Sequence, residues 1–216
     1  MDSLGVAVIA DLIGSRKVPD RALAQQQLGD AAERVNRHIP SLQPIVATVG
    51  DEFQALYADA ASAFEATLLM RLWLPEGIDC RFGIGAGGYR TIATVPHDIQ
   101  DGSAWWSARE AIDVAKAKQD RRNPTVRTWY VADAEHAAAF PEQQTTCAYL
   151  ISRDYIVGKM RPGTKAMLRG SLAGQTQTEL AKQLGITQGT VSSAMRKSGP
   201  SIVIEGVDQI RSRWGT

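Results

Sequence analysis

Residues 45–57, Ile45-Val46-Ala47-Thr48-Val49-Gly50-Asp51-Glu52-Phe53-Gln54-Ala55-Leu56-Tyr57, decide the fold. Two runs rich in Val, Ile, Phe and Tyr flank a Gly-Asp pair, the pattern of a β-hairpin whose tight turn presents Asp51. Far upstream, Leu4-Gly5-Val6-Ala7-Val8-Ile9-Ala10 is an almost unbroken apolar run, suited to a strand buried on both faces, and it ends in Asp11. One amphipathic helix separates the two: Asp20 suits its N-cap, Leu28, Ala31, Ala32, Val35 and Ile39 recur at helical spacing, and Pro40 stops it. A strand, helix, strand, strand order lays the second hairpin strand antiparallel to the first strand, so Asp11 and Asp51 become neighbours. Two converging carboxylates at strand ends make a site for Mg²⁺ carrying a nucleotide phosphate.

The turn after Asp11 has the chemistry to match. Gly14 permits close backbone approach, Ser15 offers a hydroxyl, and Arg16 and Lys17 supply positive charge, although the same residues suit a plain polar connection. Beyond the hairpin, Phe64, Leu68, Leu69, Leu72 and Trp73 form a second amphipathic helix ended by Pro75. Ile78, Cys80, Phe82 and Ile84 then alternate as a fourth strand with one face covered, leaving through Gly85-Ala86-Gly87-Gly88 as a glycine loop. Ser103 opens a helix holding Trp105, Trp106 and Arg109, with the tryptophans expected in the core and Arg109 facing either a phosphate or Asp113 at i+4. Residues 125–131 read as an edge strand, 135–140 as a short helix, and Cys147 to Ile156 as a longer helix that leaves the sheet.

Composition narrows the class. At 216 residues and 44% apolar content the chain can bury a substantial core, and no apolar stretch reaches 18 residues, so a cytoplasmic protein is expected. Cys80 and Cys147 are too isolated for a zinc site, and His38, His97 and His136 show no ligand spacing. Charge is divided unevenly: residues 1–158 carry 15 basic and 20 acidic side chains, residues 159–216 carry 9 and 3. The basic tail suits a polyanion.

Within that tail, residues 175–197 read as helix, turn, helix. Thr176 or Thr178 caps the first helix, Leu180, Ala181 and Leu184 point inward, Gly185 takes a left-handed turn, and Ile186, Val191 and Met195 anchor the second helix. Thr187, Gln188, Gly189, Thr190, Ser192, Ser193, Arg196 and Lys197 are then the candidate DNA contacts. Residues 163–172 supply a third helix, Ile202-Val203-Ile204 a wing strand, and Arg211 and Arg213 further phosphate contacts. A trihelical oligomerisation module without DNA is the other possibility.

Asp11-Leu12-Ile13-Gly14-Ser15-Arg16 with Gly50-Asp51-Glu52-Phe53-Gln54 resembles the bacterial SatD family over most of the chain, and class III nucleotidyl cyclases and GGDEF domains more distantly over its first half. The resemblance implies an α+β fold, a ferredoxin-like antiparallel palm with helices on one face plus a small all-α helix-turn-helix domain. It implies catalytic roles for Asp11, Asp51 and Arg109, and a set of Asp11, Leu12, Asp51 and Glu52 for Mg²⁺ or Mn²⁺. Ile13, Gly14, Ser15, Arg16 and Gly50 would contact the nucleotide. Trp106 stands where cyclases have an asparagine, Arg109 is displaced by one residue, and Ala47 replaces a base-reading lysine.

These residues define a palm over 1–144, a connector helix over 145–161 and a DNA-binding domain over 162–216. The expected function is a regulator that binds DNA and a nucleoside triphosphate, acting as a homodimer. An active two-metal nucleotidyl cyclase or nucleotidyltransferase is the alternative. A third possibility makes Asp11 and Asp51 simple turn-formers in a dimerising palm.

Overall fold

The computed structural model describes residues 3–14, 20–48, 51–93, 99–119 and 123–215. In chain order these form β1 (Ser3–Leu12), α1 (Arg21–His38), β2 (Gln43–Ala47), β3 (Glu52–Tyr57), α2 (Ala60–Trp73), β4 (Cys80–Ile92), β5 (Ile99–Asp101), α3 (Ser103–Gln119), β6 (Thr128–Ala132), α4 (Gln143–Lys159), α5 (Pro162–Leu172), α6 (Gln177–Leu184), α7 (Gln188–Lys197) and α8 (Pro200–Trp214). The sheet order is β2-β3-β1-β4-β5, with β6 also paired to β4. β3 and β4 flank β1 antiparallel, as the β-α-β-β-α-β order requires, and β6 lies parallel beside β4.

The unbroken apolar run of β1 has its cause in this arrangement. Val6, Val8, Ala10 and Leu12 enter the main core with α1 and α2, while Ala7 and Ile9 meet Ala104, Trp105, Ala108 and Ile112 of α3 on the opposite face. Helices therefore cover both faces of the sheet, not one as the resemblance implies, because a central strand apolar on both sides needs cover on both.

β4 corrects a second expectation. Gly85 to Gly88 do not leave the sheet as a loop but lie inside a strand that runs on to Ile92. A methyl group on Gly83 or Gly85 would overlap the α3 backbone at Ala108, and one on Gly87 would lie 2.6 Å from Ser103 Oγ. The glycines at alternate positions clear a track on which α3 packs backbone to strand.

Further along, Ile202-Val203-Ile204 is helical instead of a wing strand. Pro200 opens α8, and Val203 and Val207 fall on one buried stripe at helical spacing, which overrides the β-branched run. Residues 137–139 form a single 3-10 turn within the 135–140 stretch read as a short helix. Cys147, Leu150, Arg153, Asp154 and Val157 of α4 are buried. Trp105 is buried as expected, but Trp106 is 64% exposed.

The last helices are joined to the sheet half by a shared core. Leu168, Val203 and Val207 pack in the main cluster, whereas Met167 joins Leu180, Ala181, Val191 and Met195 in a smaller one. Arg169 donates to the Leu72 carbonyl at 2.9 Å and stacks on Trp73. Arg211 forms a two-pronged ion pair with Glu65 of α2, so it is occupied within the chain and does not stand free for DNA phosphate.

Gly85→Ala should lower the stability to urea by about 3 kcal/mol or more, since α3 must lift from β4 to admit the methyl group. Gly29→Ala, in α1 with open space around it, should instead raise stability by about 0.5–1 kcal/mol.

Candidate functional site

The end of β1 carries the site. The pairing register sets Asp11 opposite Glu52 on one side and Arg81 on the other. Arg81 Nη1 donates to Asp11 Oδ2 at 2.7 Å. The other oxygen, Asp11 Oδ1, is buried and has no hydrogen-bond partner among the described residues. Burial pushes the Asp11 carboxyl above the usual range; Arg81 and Lys116 oppose that, and the charge of Asp51 adds to it. The Cys80 thiol next door is likewise raised, by burial first and then by Asp79, Asp11 and Asp51.

Asp51 lies in the turn leading into β3, half-buried. Among the described residues it makes no ion pair. Glu52 is fully engaged: its Oε2 accepts from Arg109 Nη1 at 2.6 Å, and its Oε1 from Arg109 Nη2 and Gln54 Nε2, both at 2.9 Å. Burial disfavours the Glu52 anion, yet the hydrogen bonds from Arg109 and Gln54 outweigh it and leave its pKa below the usual value. Arg109 is thus held across the sheet by Glu52, not by Asp113 along its own helix, because Glu52 offers two oxygens to a planar fork.

Leu12 closes β1 with its side chain buried, opposite Cys80. Ile13 and Gly14 follow in a turn, Gly14 in the left-handed region at φ 69°. Ser15, Arg16, Lys17, Gly50 and His97 lie outside the described residues. The Ile13 amide donates to the Asp79 carbonyl at 2.9 Å, which ties the turn to a buried charge network unseen in the sequence. The Asp79 carboxylate accepts from Arg71 Nε at 3.0 Å and Arg127 Nε at 2.7 Å. Arg71 Nη1 continues to Asp154 Oδ1 at 3.1 Å, and Asp154 also accepts from the Thr128 amide at 2.6 Å. Burial disfavours the Asp79 anion, but Arg71 and Arg127 together hold its pKa below normal.

In the tail, Thr176 and Glu179 form a capping box on α6, and Gly185 ends it in the left-handed conformation. Thr187 caps α7 by accepting from the Thr190 amide. Val191 and Met195 are buried, while Thr187, Gln188, Gly189, Thr190, Arg196 and Lys197 are exposed and Ser192 and Ser193 partly so. Ile186 stays 37% exposed instead of anchoring the second helix alongside Val191 and Met195.

One further cluster escaped the sequence reading. Asp133, Glu135 and His136 place ligand atoms within 4.8 Å of one another, the one such three-residue group among the described residues. The signal was the Asp-x-Glu-His spacing just past β6. Hydrogen bonds account for it: Asp133 Oδ2 accepts from Ser103 Oγ at 2.9 Å and lies 2.7 Å from His136 Nδ1. Asp133 thereby locks the start of α3 to the end of β6.

Together these features define a mixed α+β protein whose largely antiparallel sheet gathers acidic and basic side chains at the ends of its central strands. The chain belongs to the SatD family, whose model matches residues 5–211. Among curated proteins none matches by sequence. Similar solved structures include a bacterial light-regulated adenylyl cyclase, at 10% identity and TM-score 0.43, covering 54% of this chain and 41% of that one. The dimeric guanylyl cyclase domain of the RhoGC fusion protein from the aquatic fungus Blastocladiella emersonii is similar at 16% identity and TM-score 0.42, over 51% of this chain and 74% of that one. The adenylyl cyclase CyaB from P. aeruginosa is similar at 13% identity and TM-score 0.41, over 64% and 80%. The chain spans less than half the length of the first of these. Among the described residues, no helix is long and apolar enough to cross a membrane.

A group whose native pKa is depressed contributes stability at neutral pH that is lost as pH falls through the native value. Asp79 should behave so: urea stability of the native chain should fall as pH drops below about 4. In Asp79→Asn that part of the acid limb should be absent, with the two proteins converging toward low pH.

Proposed function

We propose that this protein is a DNA-binding regulator whose sheet half senses a nucleotide with a divalent cation. The observation that carries the sensing part is the buried Asp11 oxygen near Asp51, which has no hydrogen-bond partner among the described residues. A carboxylate oxygen held out of water without a donor is an unfavourable state that a cation would relieve. Asp11, Asp51 and the Leu12 carbonyl are oxygen donors, the set Mg²⁺ or Mn²⁺ prefers. With Glu52 committed to Arg109, these three would hold the ion, and Glu52 would join only on release. A divalent cation there would neutralise the repulsion between the carboxylates and attract phosphate. The turn at Ile13 and Gly14 would supply backbone to the phosphates, and Ser15, Arg16 and Gly50, which lie outside the described residues, would add hydroxyl, charge and backbone contacts.

The DNA-binding part rests on α7, whose buried Val191 and Met195 leave a polar face of Thr187, Gln188, Gly189, Thr190, Ser192, Ser193, Arg196 and Lys197. Hydroxyl and amide groups at the start of such a helix read base edges, and Arg196 and Lys197 at its end reach phosphate. A homodimer would present two such helices to a palindromic site. A connection between the halves is available through Ile13, Asp79, Arg71 and Asp154, which leads from the carboxylate turn into α4 and so to α5. Ligand occupancy shifts DNA affinity only if the two states of the chain differ in ligand affinity.

A second reading, a nucleotidyl cyclase or nucleotidyltransferase using two cations, is favoured by Arg109, which is close enough to feel the Asp11 charge. It predicts pyrophosphate release from purified protein with Mg²⁺ or Mn²⁺, abolished in Asp51→Asn.

To test the regulator, duplexes selected from a random pool by the purified protein are used in gel shifts with each nucleoside triphosphate and Mg²⁺. One nucleotide should change DNA affinity by about fivefold or more, and Asp79→Asn should lose that response while still binding DNA. Arg196→Ala with Lys197→Ala should reduce the salt dependence of binding by about two phosphate contacts. DNA affinity unmoved by every nucleotide would remove the sensing role.

A further inference from the structure

Two ion pairs stand at the end of β1. Arg81 holds Asp11, and Arg109 holds Glu52, whose backbone is paired with that of Asp11. The second pair differs from the first in its setting. Arg81 is largely buried, whereas the Arg109 side chain is 50% exposed and that of Glu52 23% exposed. An exposed ion pair contributes little net stability, because water serves both partners nearly as well. Its geometry is nonetheless fully formed, with two parallel hydrogen bonds between a guanidinium and a carboxylate. Such a pair is easily exchanged for stronger partners of the same geometry.

We propose that the Glu52–Arg109 pair is an exchangeable latch, in which Glu52 stands in for a phosphate and Arg109 for a cation until both arrive. This rests on the cation and nucleotide site proposed above, and it adds the order and cooperativity of binding. A phosphate group presents the same pair of oxygens to Arg109 as the Glu52 carboxylate does, with more negative charge. Taking up Arg109 releases Glu52. The freed carboxylate is then a third acidic ligand next to Asp11 and Asp51, and the cation binds more tightly. Conversely, a cation that draws Glu52 away frees Arg109 for the polyphosphate. Each ligand thus strengthens the other by removing its competitor, and by linkage the two effects are equal.

Gln54 fits this assignment. Its amide donates to Glu52 Oε1 from the same strand, so Glu52 keeps one hydrogen bond and a defined position after Arg109 departs. Arg109 in turn feels the fields of Asp113 and Asp11 as well as Glu52, so it remains near the site when released.

The probes are Mn²⁺ and inorganic tripolyphosphate, titrated calorimetrically into the full chain separately and together. In the native protein tripolyphosphate should raise Mn²⁺ affinity on the order of tenfold. Arg109→Ala should bind Mn²⁺ alone several-fold more tightly than native protein, because Glu52 is free from the start. Glu52→Gln should bind tripolyphosphate alone more tightly, because Arg109 is free. Both variants should lose most of the mutual enhancement. Circular dichroism confirms that each is folded, and Gln209→Ala, on the exposed face of α8, should keep the enhancement. If Mn²⁺ and tripolyphosphate bind the native chain but Arg109→Ala and Glu52→Gln do not tighten either ligand, the pair is only a clamp between α3 and β3. That result overturns the latch and leaves the site standing. If Mn²⁺ binds none of these proteins, the cation site and the latch both fall.

Discussion

The close seating of α3 on β4 is the constraint on which the rest of the structure depends. Gly83, Gly85 and Gly87 present no side chains to the helix, so the backbones at Ala104 and Ala108 approach the strand directly. That contact covers the second face of the sheet and lets β1 be apolar on both sides. It also sets which residues of α3 look over the strand ends. Arg109 reaches Glu52, Gln119 accepts from Arg81, and Lys116 lies near enough to moderate Asp11. A helix standing off by the height of a Leu side chain would carry these groups out of register with the carboxylates.

Charge is managed differently at the two levels of the sheet. Around Asp79, the residues Arg71, Arg127 and Asp154 are matched by hydrogen bonds in a network whose Arg71 and Asp154 are buried, where removing one partner leaves another unsatisfied. At the rim, one Asp11 oxygen has no hydrogen-bond partner among the described residues, and the Arg109 side chain is half exposed. The helices after residue 160 join this framework: Arg211 on Glu65 and Arg169 on Trp73 bind them to α2, while α7 keeps its polar face outward.

The hairpin and the antiparallel setting of β1 beside β3 were legible in the sequence because alternation and turn residues are local signals. The turn between α6 and α7 was legible for the same reason, through Gly185. What escaped depends on partners distant along the chain. Gly85 and Gly87 have the composition of a loop, and only the α3 backbone shows why a strand needs them. Arg109 has Asp113 four residues on, but its actual partner lies 57 residues away. Arg211 looks like a phosphate ligand until Glu65, 146 residues distant, is found beside it. Ile202-Val203-Ile204 carries strand propensity that Pro200 and the spacing of Val203 and Val207 overrule.

The most direct test of the cation site at the strand ends is anomalous diffraction from crystals soaked in Mn²⁺ and tripolyphosphate. An anomalous peak within bonding distance of both Asp11 and Asp51 is the predicted result. A peak only beside Asp133 and His136, or no peak at Asp11 under saturating Mn²⁺, would contradict it.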